Sequence, residues 1–74
     1  MQTYYINGRP TTHILEEFVI NNIKVCYYTD LLEDVNYVQI TDYALHDFAE
    51  YRVKNQDDYL RLLLCYFDAE TLTN

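Results

Sequence analysis

The sequence predicts a small α+β domain in which a short antiparallel β-sheet is packed by about three helices, in the order β-α-β-β-α-α. Three observations predict it. Residues 23–29 and 35–41 are rich in β-branched and aromatic side chains that alternate with period two. Residues 12–20, 42–53 and 55–67 instead place apolar side chains at helical spacing. Half of the 74 residues are apolar and Gly and Pro occur once each, so residues 1–74 make one folded domain, not a disordered acidic chain.

The elements follow in order. Residues 2–6 favour a strand, and Asn7-Gly8 is the strongest turn signal in the chain. Pro10 argues against a long central strand after that turn, which points to a helix capped by Thr11 or Thr12. Glu16 and Glu17 then suit its positive end, and Ile14, Leu15, Phe18 and Val19 form its apolar face. Asn21-Asn22 ends it. Ile23, Val25 and Tyr27 alternate with Lys24, Cys26 and Tyr28, and Val38 and Ile40 with Val35, Tyr37 and Gln39. The connector Asp30-Leu31-Leu32-Glu33-Asp34 is short enough for an antiparallel hairpin, with Leu31 and Leu32 expected to be buried. Exposed among acids, these two leucines would instead resemble an interface hot spot.

Thr41 can cap a helix over residues 42–53. Ala44, Leu45, Phe48 and Tyr51 fall on one side of it, and Asp42, Tyr43, His46, Asp47 and Glu50 on the other. Asn55 caps a last helix with Asp57 and Asp58 in its first turn and Asp57 spaced to pair with Arg61. Its apolar arc (Tyr59, Leu60, Leu62, Leu63, Leu64, Tyr66, Phe67) is wider than one sheet needs. Either this helix is the centre of the core or a second copy covers part of it as a homodimer.

Charge is the most informative feature. Between Lys24 and Arg52 stand Asp30, Glu33, Asp34, Asp42, Asp47 and Glu50 with no Lys or Arg among them, and the whole chain carries a net charge of -7. An anionic surface repels nucleic acid and lipid headgroups and attracts basic protein surfaces. The expected partner is therefore a protein with a basic, nucleic-acid-binding surface, with no direct nucleic acid and no membrane involved. Nine tyrosines add amphipathic rings suited to such contacts.

No catalytic motif is present, and the single glycine excludes a glycine-rich phosphate loop. On a helix, Asp42, His46 and Glu50 would stand one turn apart, a spacing that could hold a divalent metal. The His46-Asp47 pair is similar to one in metal-dependent phosphohydrolases, but only His13 remains as a further imidazole. The expectation is an exposed polar face, no metal, no cofactor and no enzyme activity. Cys26 and Cys65 lie far apart in apolar surroundings, as inert thiols of a cytoplasmic protein do.

The expected function is a small acidic inhibitor that masks a basic surface of its target. Asp30, Glu33 and Asp34 at the hairpin tip and Asp42, Asp47 and Glu50 on the helix face would stand in for phosphates, with Tyr37 and Tyr43 as anchors. In size, acidity and aromatic content the chain resembles small phage-encoded anti-defence proteins, including nucleic-acid-mimicking anti-CRISPR and antirestriction inhibitors. That resemblance rests on no family motif. An acidic antitoxin would carry the same traces. The alternative is a homo-oligomeric structural or adaptor module that uses the apolar last helix.

Overall fold

The computed structural model describes residues 2–68, which form six strands and one helix. Strands β1 (Tyr4–Ile6) and β2 (Arg9–Thr11) make a hairpin around Asn7 and Gly8, both at positive φ (51° and 78°). That pair of left-handed residues matches the twist of two adjoining strands. The strands β3 (Ile14–Ile20), β4 (Ile23–Asp30), β5 (Val35–Asp42) and β6 (Asp47–Val53) form an antiparallel meander in the order β3-β4-β5-β6. Helix α1 (Gln56–Leu64) follows, opened by Asn55, whose side chain accepts the Asp58 backbone N–H at 2.9 Å.

The meander is covered on both faces, which explains the continuous burial of β4 from Val25 to Tyr28. On one face Val25, Tyr27, Val38, Ile40 and Val53 meet Tyr59, Leu63 and Phe67 from α1 and the turn after it. Tyr59 stacks on Tyr27 with ring centroids 4.0 Å apart, and Phe67 lies against Phe18 on β3. On the other face Cys26, Tyr28 and Tyr37 form a smaller cluster, under Ile6 of the β1–β2 hairpin and beside Ile14 and Val35.

The two central strands and the hairpin between them stand where the sequence places them, and the last helix forms there too but ends at Leu64, leaving Tyr66 and Phe67 in the turn after it. The three-helix α+β expectation is overturned: the protein is mostly β, with one helix. Residues 14–20 form edge strand β3, where Glu16, Phe18 and Ile20 pair with Tyr27, Val25 and Ile23. The Ile14/Leu15 and Phe18/Val19 spacing also fits a helix, but Asn21-Asn22 (φ 52° and 66°) closes a two-residue hairpin and commits the segment to the sheet. Pro10 sits in two-stranded β2, where its missing N–H costs no central ladder bond.

The predicted helix over residues 42–53 is instead a loop and strand β6. Asp42 accepts the Ala44 and Leu45 amides (3.0 and 3.1 Å), holding a turn where a helix start was expected. His46 then takes φ 56°, which ends any helical run and launches Asp47 back along β5. Leu31 and Leu32 are exposed at the β4–β5 tip, against the expectation of burial. Arg61 pairs with Asp58 at 3.6 Å, not with Asp57.

Candidate protein-binding surface

Arg9 leaves the β1–β2 hairpin and crosses the sheet face that carries Tyr28 and Tyr37. Its Nε donates to Glu50 Oε1 at 2.9 Å, and its Nη1 to Asp30 Oδ2 at 3.0 Å and Glu33 Oε1 at 3.1 Å. Its guanidinium lies 3.9 Å from the Tyr37 ring centroid. Glu50 also accepts the Tyr28 hydroxyl at 2.9 Å, and Glu33 the Tyr37 hydroxyl at 2.8 Å. The Glu50 hydrogen bond leads in strengthening the charged state of Arg9 beyond that of a free arginine. Burial, then the Glu50 carboxylate, raises the Tyr28 phenol well above its ordinary range. The Glu33 hydrogen bond, then burial, raises that of Tyr37.

This network engages half of the acidic run. Asp30 is buried, Glu50 is 11% exposed, and Tyr37 is a core residue, so these three contribute packing and internal charge pairing more than outer surface. Glu33 remains partly open to solvent, and Asp34 is exposed at φ 57°. Arg9 is not among the residues that the sequence singles out. A signal for it existed: it is the only Lys or Arg ahead of Lys24, and it directly follows a tight turn.

Asp42, Tyr43 and Asp47 lie at the opposite end of β5 from Asp30, Glu33 and Asp34. An eight-residue strand separates the groups by roughly 23 Å at about 3.3 Å per residue. The acids therefore do not form one surface. At the β5–β6 end, Tyr43, Leu45 and Phe48 are 50%, 69% and 53% exposed, and Asp42 and Asp47 flank them. A hollow of about 280 Å³ opens at the root of this loop, lined by Ile40, Asp42, Leu45, Asp47, Phe48, Ala49 and Tyr66. Tyr66 is held there by a 2.7 Å hydroxyl–hydroxyl hydrogen bond to Tyr51, which leads burial in pushing its phenol up to about 12. The backbone N–H of Tyr43 donates to Asn22 O at 2.9 Å and ties the loop to the β3–β4 turn. Leu45 and Phe48 are functional candidates that a helical reading assigns to the core.

A second hollow, about 380 Å³, lies near the start of α1 between Leu15, Glu16, Tyr27, Asn36, Asn55, Gln56 and Tyr59. Three of its polar side chains are already engaged. Glu16 accepts the Tyr59 hydroxyl, Asn36 bonds Tyr27 and Thr29, and Asn55 caps the helix. Burial, then Glu16, raises the Tyr59 phenol far above its ordinary range.

Asp42, His46 and Glu50 do not form a row, because His46 is in a loop and Glu50 faces Arg9. Among the described residues no three His, Cys, Asp or Glu side chains stand together as metal ligands would. Cys26 is buried and Cys65 exposed, and both are free thiols. No described helix is long and apolar enough to cross a membrane. Compared with known proteins, the chain matches no family model, no curated protein and no solved structure.

Proposed function

We propose that the protein is a small acidic binder of another protein, seating its β5–β6 end on an apolar site edged by Lys and Arg. In doing so it masks a surface that would otherwise receive a polyanion. The observation that carries this reading is the group Tyr43, Leu45 and Phe48, all half exposed or more and flanked by Asp42 and Asp47. Stable interfaces combine a few desolvated aromatic or aliphatic anchors with a polar rim, and this end of the sheet has that composition. The carboxylates would steer a basic partner and the apolar side chains would hold it. The binding surface in this reading is narrower than the whole acidic run, because Asp30, Glu33 and Glu50 are paired with Arg9.

The test is affinity capture from the native host's lysate, followed by titration of the purified partner against three forms of the protein. Leu45→Ser/Phe48→Ser should abolish binding, Asp47→Lys should weaken it most at low salt, and Asp34→Asn should leave it unchanged. Competing DNA or RNA should displace the partner. Wild-type affinity in the Leu45→Ser/Phe48→Ser protein would remove this end of the sheet from the proposal. A partner indifferent to nucleic acid would remove the masking role and leave the binding.

A further inference from the structure

The β5–β6 end holds an apolar hollow and an unbalanced pair of acids side by side. In the β5–β6 ladder Ile40 stands opposite Ala49, and the next pair on the same face is Asp42 opposite Asp47. Both pairs line the hollow of about 280 Å³, and so does Tyr66. Like charges directly opposite each other in a sheet are unfavourable. Asp42 accepts the Ala44 and Leu45 amides through Oδ1, but these neutral donors leave its charge uncancelled. Neither aspartate forms an ion pair with a described residue.

The other face of the sheet shows how this chain accommodates such a group. There Arg9 lays its guanidinium 3.9 Å from the Tyr37 ring centroid and donates to Asp30, Glu33 and Glu50. The hollow repeats two of those ingredients, carboxylates and a tyrosine ring, with no guanidinium among the described residues that line it. It adds an apolar floor, Ile40 and Ala49, that lies two residues along each strand from the acids, roughly 7 Å. A side chain with an apolar stem on that floor and a cation at its far end fits both parts. An apolar side chain would fill the floor but strip water from the carboxylates without pairing them. Lys and Arg both have the stem, and the planar fork of Arg suits two carboxylates and an aromatic face together.

We infer that the hollow is an arginine socket: one arginine side chain of the protein partner enters it, its stem on Ile40 and Ala49 and its guanidinium at Asp42 and Asp47 beside the Tyr66 ring. The inference rests on the docking reading above and names the residue that this end takes from its partner. Leu45 and Phe48 then seat apolar surface around the inserted side chain.

The probe is n-butylguanidinium, which carries the stem and head of arginine, followed by amide shifts in NMR spectra of the whole chain. It should shift the Leu45, Asp47 and Ala49 amides saturably. The neutral isostere n-butylurea should bind at least about tenfold more weakly, and n-butylammonium should also bind more weakly than the guanidinium. Asp47→Asn alters an exposed side chain, leaves the fold intact and should weaken guanidinium binding about tenfold. Ala49→Leu fills the floor and should abolish binding. Equal affinity for n-butylurea or n-butylammonium overturns the inference, and so does unchanged guanidinium binding in Asp47→Asn. Unsaturable shifts spread over all the acids, as a diffuse counter-ion atmosphere gives, overturn it too. The docking reading fails separately. Saturable guanidinium binding by the wild type, with full partner affinity in Leu45→Ser/Phe48→Ser, overturns docking at this end and leaves the cation site. Loss of the partner in that double variant, with no guanidinium binding by the wild type, upholds docking and overturns the socket.

Discussion

At Asp30 the chain buries a carboxylate almost completely, and the way it does so sets the response to acid. Burial alone would raise its pKa, but the Leu32 amide, Arg9 and the Glu33 amide outweigh that effect and hold the carboxyl below its usual range. On acidification the unfolded chain therefore takes up this proton before the folded one. The stabilisation is complete above about pH 4 and is lost as pH falls through the lower folded-state value. Urea unfolding across the acid range should show a shallower pH dependence for Asp30→Asn than for wild type, and an equally steep limb would assign it to other carboxylates. Arg9 holds Asp30, Glu33 and Glu50 together, so Arg9→Ala should lower the thermal midpoint more than any other removal of a charged side chain. Lys24→Ala and Arg61→Ala break exposed pairs at 3.6 Å and should each cost about 0.5 kcal/mol or less. The cysteines give a third check at this scale. Burial, reinforced by Glu17, pushes the Cys26 thiol up to about 11, which cuts its thiolate fraction near pH 8 about 100-fold. A disulfide reagent should titrate Cys65 rapidly in the native protein and Cys26 only on unfolding; two fast equivalents would mean the hairpin side of the sheet is open.

Among the elements, the turns decide where the chain runs as strand. Asn21 and Asn22 both adopt left-handed backbone, tolerable for asparagine and costly for a β-branched residue. Asn22→Gly should stabilise by about 0.5 kcal/mol and Asn22→Val should destabilise by about 1–2 kcal/mol, read from chemical denaturation midpoints. Equal stability of the two variants would contradict a two-residue hairpin there. The same turn shows how much of the fold was legible in the sequence. Runs dense in β-branched and aromatic residues marked β4 and β5 because both faces of each are buried or half-buried, and Asn55 marked α1 because a cap is a local hydrogen bond. Edge strands β3 and β6 were hidden for a shared reason. Each has one partner strand and several exposed apolar residues (Leu15 and Val19, Phe48 and Tyr51), so burial does not impose a clean alternation. In β6 the preceding loop completed a false helical wheel, with Ala44 and Leu45 counted on the face of Phe48 and Tyr51. The two longer loops follow one plan: Asp30 and Asp42 accept amides at their starts, and Asp34 and His46 close them in left-handed conformation. An acid that caps a turn resembles one that caps a helix until the residue ending the turn is considered. Of the candidate site, Tyr43 and Asp47 were legible as exposed polar positions, and Asp42 as a polar one that proves half-buried. The inward roles of Asp30, Glu33, Tyr37 and Glu50 were not, since Arg9 lies distant in sequence from all four.

For the whole molecule, the sheet divides two unequal layers, and that inequality predicts the order in which the protein opens. The helix side buries eight core residues from three strands, α1 and the turn after it. The hairpin side buries three, and its covering β1–β2 unit is held by Ile6, the Arg9 network and the bond from the Leu31 N–H to Pro10 O at 3.0 Å. Apolar burial is cooperative with the global fold, whereas a short hairpin attached mainly by one side chain can lift without exposing the main core. Native-state hydrogen exchange should therefore find β4 and β5 amides exchanging only through global unfolding, and β1–β2 amides at least about 100-fold faster. Arg9→Ala should accelerate the hairpin amides selectively and leave the rank order within the meander unchanged. If the hairpin proved as protected as β4, the two layers would be a single cooperative unit. The cost of Arg9→Ala would then fall on every strand alike, and the charge network would act as a core element despite lying at the edge of the smaller layer.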